Sequence, residues 1–273
     1  EKYDLAVCLD KSPQAAALIM LVQAKEKAGY GMNAYGNVFA LNKSAEYCLN
    51  LGINNVLKFK KNKKTYQELI FSIIGQKYKQ EEYVLNLSKE QLVFSKKIVK
   101  EYSLEKKDII VGINSGASAA FSTKKWLESN IIDLAEKLAG LKNTKIFLLG
   151  GENERAQNQR ISEKVSFVIN TGSYSFQEFI ALVNCCDIVV SGDTLAMHIA
   201  IALKKRVVAI FGPTCAQEIE IFSRGEKIAA NVPCAPCYKL DCADKYCMQA
   251  ITPEIVLASV KRQIRVVRKL KLK

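Results

Sequence analysis

Hydrophobic and polar positions divide the chain into two stretches of different regularity. The opening run Tyr3-Asp4-Leu5-Ala6-Val7-Cys8-Leu9-Asp10 predicts a strand. The Ala-rich stretch after it predicts a helix over 12–24, with Ser12 as N-cap and Pro13 at the first helical position, where no intrahelical N–H is needed. Helical patterns follow at 38–49 and 65–79, then a short strand at 83–87 and a charged helix at 89–102. From Asp108 onward the alternation is regular: strands at 109–114, 145–149, 167–169, 188–190 and 207–211 are separated by helices at 126–141, 153–164, 176–185 and 194–203. These strands are continuous apolar runs, as parallel strands buried on both faces require. The pattern predicts an α/β protein with one complete Rossmann-like domain over 105–273 and the remainder of another over 1–104. No repeat of solenoid length and no low-complexity segment interrupts it.

Composition narrows the class. Across 273 residues, 49% hydrophobic and 25% charged with only 14 Gly and 5 Pro, collagen, a disulfide-dense miniprotein and a disordered tail are excluded. No apolar run reaches the ~18 residues of a spanning helix; the longest, 15–22 and 70–74, are core-sized. Forty Lys+Arg against 27 Asp+Glu give +13, which points to an anionic partner or, equally, to ordinary solvated lysines. Neither an RNP-type aromatic pattern nor a helix-turn-helix cue supports nucleic acid as that partner. Near the C-terminus, Lys261, Arg262, Arg265, Arg268, Lys269, Lys271 and Lys273 interleave with Ile264, Val266, Val267, Leu270 and Leu272. That spacing suits either a helix lying peripherally on an anionic inner-membrane surface or the solvated end of a packed last helix. Nine Cys, several in apolar surroundings, fit a reduced, cytoplasmic compartment. The single histidine, His198, excludes any mechanism that needs two.

Three features could carry chemistry. The strand at 188–190 runs into Ser191-Gly192-Asp193-Thr194-Leu195-Ala196-Met197-His198, and strand ends followed by helix N-termini are where open α/β sheets bind anions. Asp193 is then either a ligand contact or only an N-cap, and His198 lies one helical turn after Thr194. The run from Gly112 to Ser118 holds Ser115 and Gly116 in a small-residue loop that a phosphate could approach, with Lys124 and Trp126 beyond it; the alternative is a flexible loop before a helix. Glu152, after Gly150-Gly151, puts a carboxylate at a third strand end, suited to ribose hydroxyls. Lastly, Cys234, Cys237, Cys242 and Cys247 would either hold a structural zinc or remain as free or disulfide-paired thiols; four thiolates leave no open position for catalysis.

Asp193-Thr194 with His198 after a strand, Phe211-Gly212-Pro213-Thr214 after the next, Lys124-x-Trp126 after the Gly/Ser loop, and Cys234-x-Pro236-Cys237 followed by Ile251-Thr252-Pro253-Glu254 together resemble glycosyltransferase family 9, the lipopolysaccharide heptosyltransferases. The resemblance covers the whole chain. It implies a GT-B type fold, two Rossmann-like domains facing a cleft, with the N-terminal one incomplete here. It further implies a metal-independent, inverting transfer of a heptose or related sugar from a nucleotide sugar, ADP-heptose, to a lipid A/core oligosaccharide. By position, Lys124 matches the family's phosphate-binding lysine, Glu152 its ribose-binding carboxylate, Tyr174 the side chain against the base, and Asp193 the contact to the transferred sugar. Thr194, Leu195, Ala196, Met197 and His198 match the helix start that receives the diphosphate.

Two departures stand out. Leu195 replaces the glycine that usually follows Asp-Thr, and the family's first strand and glycine-rich turn, with the carboxylate expected to act as base, would lie upstream of Glu1. On this reading no catalytic base is assigned within the chain, which is expected to bind donor and transfer slowly. The competing reading is a non-catalytic nucleotide-binding Rossmann protein with the cysteine cluster as an interaction module.

Overall fold

The computed structural model describes residues 2–272; Glu1 and Lys273, the last of the basic tail positions, lie outside the described residues. Two compact units divide the chain, 1–81 with 217–220, and 82–216 with 221–273.

The first unit opens with β1 (Tyr3–Cys8), α1 (Pro13–Leu21) and β2 (Ala24–Met32). Ser12 caps α1 as expected, its Oγ accepting the Ala15 N–H at 3.4 Å. β1 and β2 run parallel, so closely at Gly29 (φ +98°) that a Cβ there would stand 1.8 Å from the Cys8 carbonyl oxygen. The segment expected to be a helix over 38–49 divides instead into β3 (Val38–Ala40), antiparallel to β2, and α2 (Lys43–Ile53). Asn42 separates them: its side chain accepts the Ala45 N–H at 3.1 Å and starts the helix afresh. α3 (Tyr66–Ile73) begins at a Thr65/Glu68 capping box and stops short of the expected Lys79, because Gly75 adopts φ +70° just past its end. Tyr30, Ala45, Cys48, Leu51, Leu69 and Ile73 form this unit's core.

In the second unit, α4 (Lys89–Glu101) precedes β4 (Ile109–Asn114), α5 (Glu128–Ala139), β5 (Thr144–Leu149), α6 (Arg155–Lys164), β6 (Val168–Asn170), α7 (Phe176–Cys185), β7 (Ile188–Gly192), α8 (Leu195–Ala202), β8 (Arg206–Phe211), β9 (Gly225–Ala229), α9 (Tyr246–Ala250) and α10 (Pro253–Lys271). The sheet is wholly parallel in the order β6-β5-β4-β7-β8-β9. Counted within the unit, that is the doubly wound order 3-2-1-4-5-6, whose direction of winding reverses between β4 and β7. Val111, Ile113, Ile146, Leu148, Ile188 and Val190 pack on one face of the sheet, and Ile110, Phe147, Leu149 and Val189 are buried on the other, as the unbroken apolar runs predicted.

The segment 83–87 forms no strand, and the expected division at 104/105 moves to 81/82. The reason is α4, which packs on α7: Gln91 Nε2 donates to Gln177 Oε1 at 2.8 Å, and Ser95 Oγ to the Ala181 carbonyl at 2.9 Å. Ahead of it, Glu82 pairs with Arg224 at 2.6 Å.

Of the two readings of the basic C-terminal stretch, the packed last helix describes the first turns of α10. Val256, Val260, Ile264 and Val267 are buried in the core, each worth about 1.5–3 kcal/mol there. Only Leu270 and Leu272 of the apolar positions near the end are exposed. Among the described residues no helix is long and apolar enough to cross a membrane.

Candidate functional site

A cavity of about 580 Å³ opens at the carboxyl end of the second sheet, where the winding reverses. Asn114 at the end of β4 and Asp193 just after β7 stand on its two sides. This is the switch-point crevice in which doubly wound sheets hold ligands, because helices on either side of it turn their N-termini toward one place.

Lys124 and Asp193 both line it, with Nζ and Oδ2 3.0 Å apart and side chains 21% and 15% exposed. Lys124 also lies 4.6 Å from the centre of the Phe121 ring. Thr194 precedes α8 without capping it. Its hydroxyl instead accepts from Asn114 Nδ2 at 3.2 Å and shares a 2.9 Å hydrogen bond with Ser191 Oγ. The first-turn amides of α8 are thus left without a side-chain partner, beside an ammonium. Together they gather hydrogen-bond donors at one corner of the cavity, where the ammonium is paired with Asp193.

His198 lies on the same helical face as Thr194, with Nε2 3.8 Å from Asp193 Oδ1. Burial lowers its pKa below the ordinary value; Asp193 opposes that shift and the Lys124 ammonium adds to it. The imidazole is therefore neutral at pH 7. Tyr83 lies against it with ring centres 6.2 Å apart.

At another part of the wall, Tyr174 joins Phe176 and Phe179 as an aromatic surface of the kind a nucleobase stacks on. Burial pushes the Tyr174 phenol up from its ordinary pKa, so it stays protonated.

Not every expected residue reaches the cavity. Lys124, Tyr174, Asp193, Thr194, Leu195, Ala196, His198 and Gly116 line it. Met197 does not: it faces the opposite side of α8 and is fully buried in the core. Ser115 also turns inward, donating to Asn158 Oδ1 at 2.5 Å, while its neighbours Asn114 and Gly116 line the cavity. Glu152 is exposed on a 3-10 turn and pairs with Arg155 at 3.3 Å. The carboxylate on the wall is Glu154, buried, with Oε2 accepting the Gly151 N–H at 3.0 Å. Its signal in the sequence was the pair of small positions that accommodate it: a Cβ on Gly116 or Gly150 would stand 2.4 Å or 2.7 Å from Glu154 atoms.

Cys234, Cys237, Cys242 and Cys247 line one small cavity, all as free thiols. Burial raises the Cys247 thiol pKa, and the neighbouring Cys237, Cys234 and Cys242 add to the shift. Among the described residues, no group of three or more His, Cys, Asp or Glu is arranged to hold a metal, so of the two readings of these cysteines the structure describes the free thiols.

Fold and site together define a pocket walled by charged and aromatic side chains at the switch point of a doubly wound α/β unit. A family model for glycosyltransferase family 9 (heptosyltransferase) matches residues 1–247, and the chain belongs to that family. Lipooligosaccharide heptosyltransferase 2 of Campylobacter jejuni is 27% identical over 161 residues, covering 56% of this chain and 51% of the relative. The chain thus spans about half the length of the Campylobacter jejuni relatives it matches. Among solved structures, E. coli ADP-heptose LPS heptosyltransferase II gives a TM-score of 0.62 at 18% identity, covering 96% of this chain and 76% of that one. A glycosyltransferase family 9 protein of Veillonella parvula gives 0.71 at 14% identity, covering 96% and 74%. These likenesses show the fold, α/β of the GT-B type.

Proposed function

We propose that this chain carries the donor site of a heptosyltransferase, which binds ADP-heptose and passes the heptose, with inversion and without a metal, to a lipopolysaccharide core sugar in the cytoplasm. The observation that carries the reading is the Lys124–Asp193 pair beside the uncapped start of α8, at the switch point of the sheet. Breaking the bond between an anomeric carbon and a diphosphate puts positive charge on the sugar and growing negative charge on the leaving phosphates. Lys124 and the α8 amides stabilise charge where it increases during the reaction. Asp193 would accept hydrogen bonds from the transferred sugar and face its developing cation. Tyr174, Phe176 and Phe179 would hold the adenine, and Glu154 the ribose. The names of the similar E. coli and Campylobacter proteins support heptose and ADP as the groups involved.

Calorimetric titration with ADP, ADP-heptose and UDP tests the reading. It predicts that ADP-heptose binds at least as tightly as ADP, that UDP binds more weakly, and that Lys124→Ala loses roughly ten- to a hundredfold for both ADP ligands. Equal binding of UDP and ADP would reject the base assignment, and no binding of any of the three would reject the site.

A further inference from the structure

Lys124 ends a short 3-10 turn, Ala119–Lys124, and side chains in and just after that turn are tied to the cysteine-rich segment 234–251. Thr123, buried, donates from Oγ1 to the Lys239 carbonyl at 2.8 Å, and Trp126 donates from Nε1 to the Ile251 carbonyl at 2.8 Å. Earlier in the turn, the Phe121 ring lies edge-to-face against Tyr238, with ring centres 6.3 Å apart and planes at 86°. The stretches around Trp126, Cys237 and Ile251, far apart in the sequence, therefore meet around the turn that carries the lysine.

Tyr238 is itself held on several sides. Its N–H and that of Cys237 both donate to the Pro213 carbonyl, at 2.9 and 3.0 Å, and its phenol oxygen accepts the Cys215 N–H at 3.3 Å. Its φ is +55°, a left-handed conformation that a bulky side chain rarely takes and that persists where the surroundings fix it. Such backbone gathers at sites where a side chain must stand in one place.

The side chain so placed bears on Lys124. Phe121 and Lys124 line the cavity at the switch point, and the Phe121 ring lies beneath the ammonium, 4.6 Å from ring centre to Nζ. A lysine free to move loses rotamer entropy when a ligand captures it, and one already resting on a ring loses less. The aromatic face also leaves the ammonium its charge and its protons, so a phosphate can take the place of the Asp193 carboxylate without lifting the lysine off the ring.

We propose that Tyr238 is a positioning residue for the diphosphate: it holds the Phe121 ring, and through that ring it aims Lys124. The effect on ADP rests on the donor reading of the cavity, whereas the hold on Lys124 is a property of the chain by itself.

Tyr238→Asn and Tyr238→Gly both remove the ring and both suit a left-handed backbone, so the loop keeps its conformation; Tyr238→Phe keeps the ring and loses the phenol. The first readout is NMR of the chain without ligand. The Lys124 ε-methylene signals, assigned by their loss in Lys124→Ala, should lie upfield of those of other lysines, because the Phe121 ring shields them. They should return toward the others in Tyr238→Asn and Tyr238→Gly and stay shifted in Tyr238→Phe. The second readout compares ADP, titrated by calorimetry, with adenosine, titrated by NMR. Loss of the ring should weaken ADP about three- to tenfold and leave adenosine within about twofold, with Tyr238→Phe restoring most of the ADP affinity. In the Lys124→Ala background Tyr238→Asn should weaken ADP no further, since it acts through the missing side chain. Equal losses for ADP and adenosine, a full further loss in the double variant, or Lys124 signals unmoved by loss of the ring would overturn the proposal and leave Tyr238 a general support of the loop. A native chain that binds neither ligand, yet whose Lys124 signals respond as expected, would reject the donor reading and keep the hold of Tyr238 on Lys124.

Discussion

A Cβ atom built on Gly192 stands 2.8 Å from the carbonyl oxygen of Lys124, so the end of β7 and the turn that delivers the lysine approach each other with room for hydrogen only. Gly192 has no positive φ, so its requirement is for space rather than conformation. Gly192→Ala must push the Lys124 turn away from Asp193. The added methyl should cost about 1–3 kcal/mol of stability, as overpacking does, and lower ADP affinity several-fold. Thermal unfolding and ADP titration of the same sample check both parts. A variant with reduced stability but native affinity would show that the turn re-forms around the methyl.

Lys124 and Asp193 should separate when the ligand is shortened. Without ligand the carboxylate neutralises the ammonium at 3.0 Å; a diphosphate would compete for the same nitrogen. Lys124→Ala therefore weakens ADP and ADP-heptose alike, by about 1.5–3 kcal/mol. Asp193→Asn should leave ADP unchanged or bind it more tightly, since a like charge is removed, yet weaken ADP-heptose, which alone carries the sugar. Parallel calorimetric titrations decide this. A common loss for both ligands in Asp193→Asn would place the carboxylate's role in holding Lys124 and not in meeting the sugar.

The parts of the fold legible in the sequence were those whose burial is two-sided. β4, β5, β7 and β8 read as continuous apolar runs because helices cover both faces of the sheet. β9, at the sheet edge, has the mixed sequence Gly225-Glu226-Lys227-Ile228-Ala229 and gave no such signal. β2 begins Ala24-Lys25-Glu26-Lys27 and hides likewise, its buried residues coming only from Ala28 onward. In the site, Asp193 and His198 followed from the strand-to-helix spacing. The Ser115 and Met197 side chains point away from the cavity for one reason: period governs which neighbour faces a cavity, and a motif names residues without regard to it. The exchange of Glu152 for Glu154 reflects a 3-10 turn at 152–154 that apolar periodicity cannot register.

His198 gives the site a pH signature. Its folded pKa lies below the ordinary value near 6.5, so the unfolded chain takes up the proton first as pH falls. The stabilisation from the neutral imidazole is complete above about pH 6.5 and is lost as pH drops through the lowered folded value. The urea midpoint of the native chain should therefore fall more steeply between pH 7.5 and 5 than that of His198→Gln. A diphosphate bound beside the ring would favour the cation, so ADP binding at pH 6 should take up a fraction of a proton. Titration in two buffers of different ionisation heat measures that fraction. The same uptake in His198→Gln would assign the proton to another group.

Glu152 and Glu154 offer the sharpest contrast between motif and geometry. Glu152 is exposed and paired with Arg155, an interaction worth little at a surface, so Glu152→Gln should leave ADP affinity within about twofold. Glu154 occupies the space left by Gly116 and Gly150 and accepts the Gly151 N–H, so it shapes two strand-end loops of the cavity at once. Glu154→Ala should lower ADP affinity through both the lost carboxylate and the loosened loops; Glu154→Gln keeps the size and separates the two. If the carboxylate meets the ribose, the preference for ADP over 2′-deoxy-ADP should shrink in Glu154→Gln while the unfolding midpoint changes little. A preference that persists in Glu154→Gln and collapses only in Glu154→Ala would make Glu154 a support for the loops, and leave the ribose hydroxyls to Asn153 or to backbone groups of the same wall.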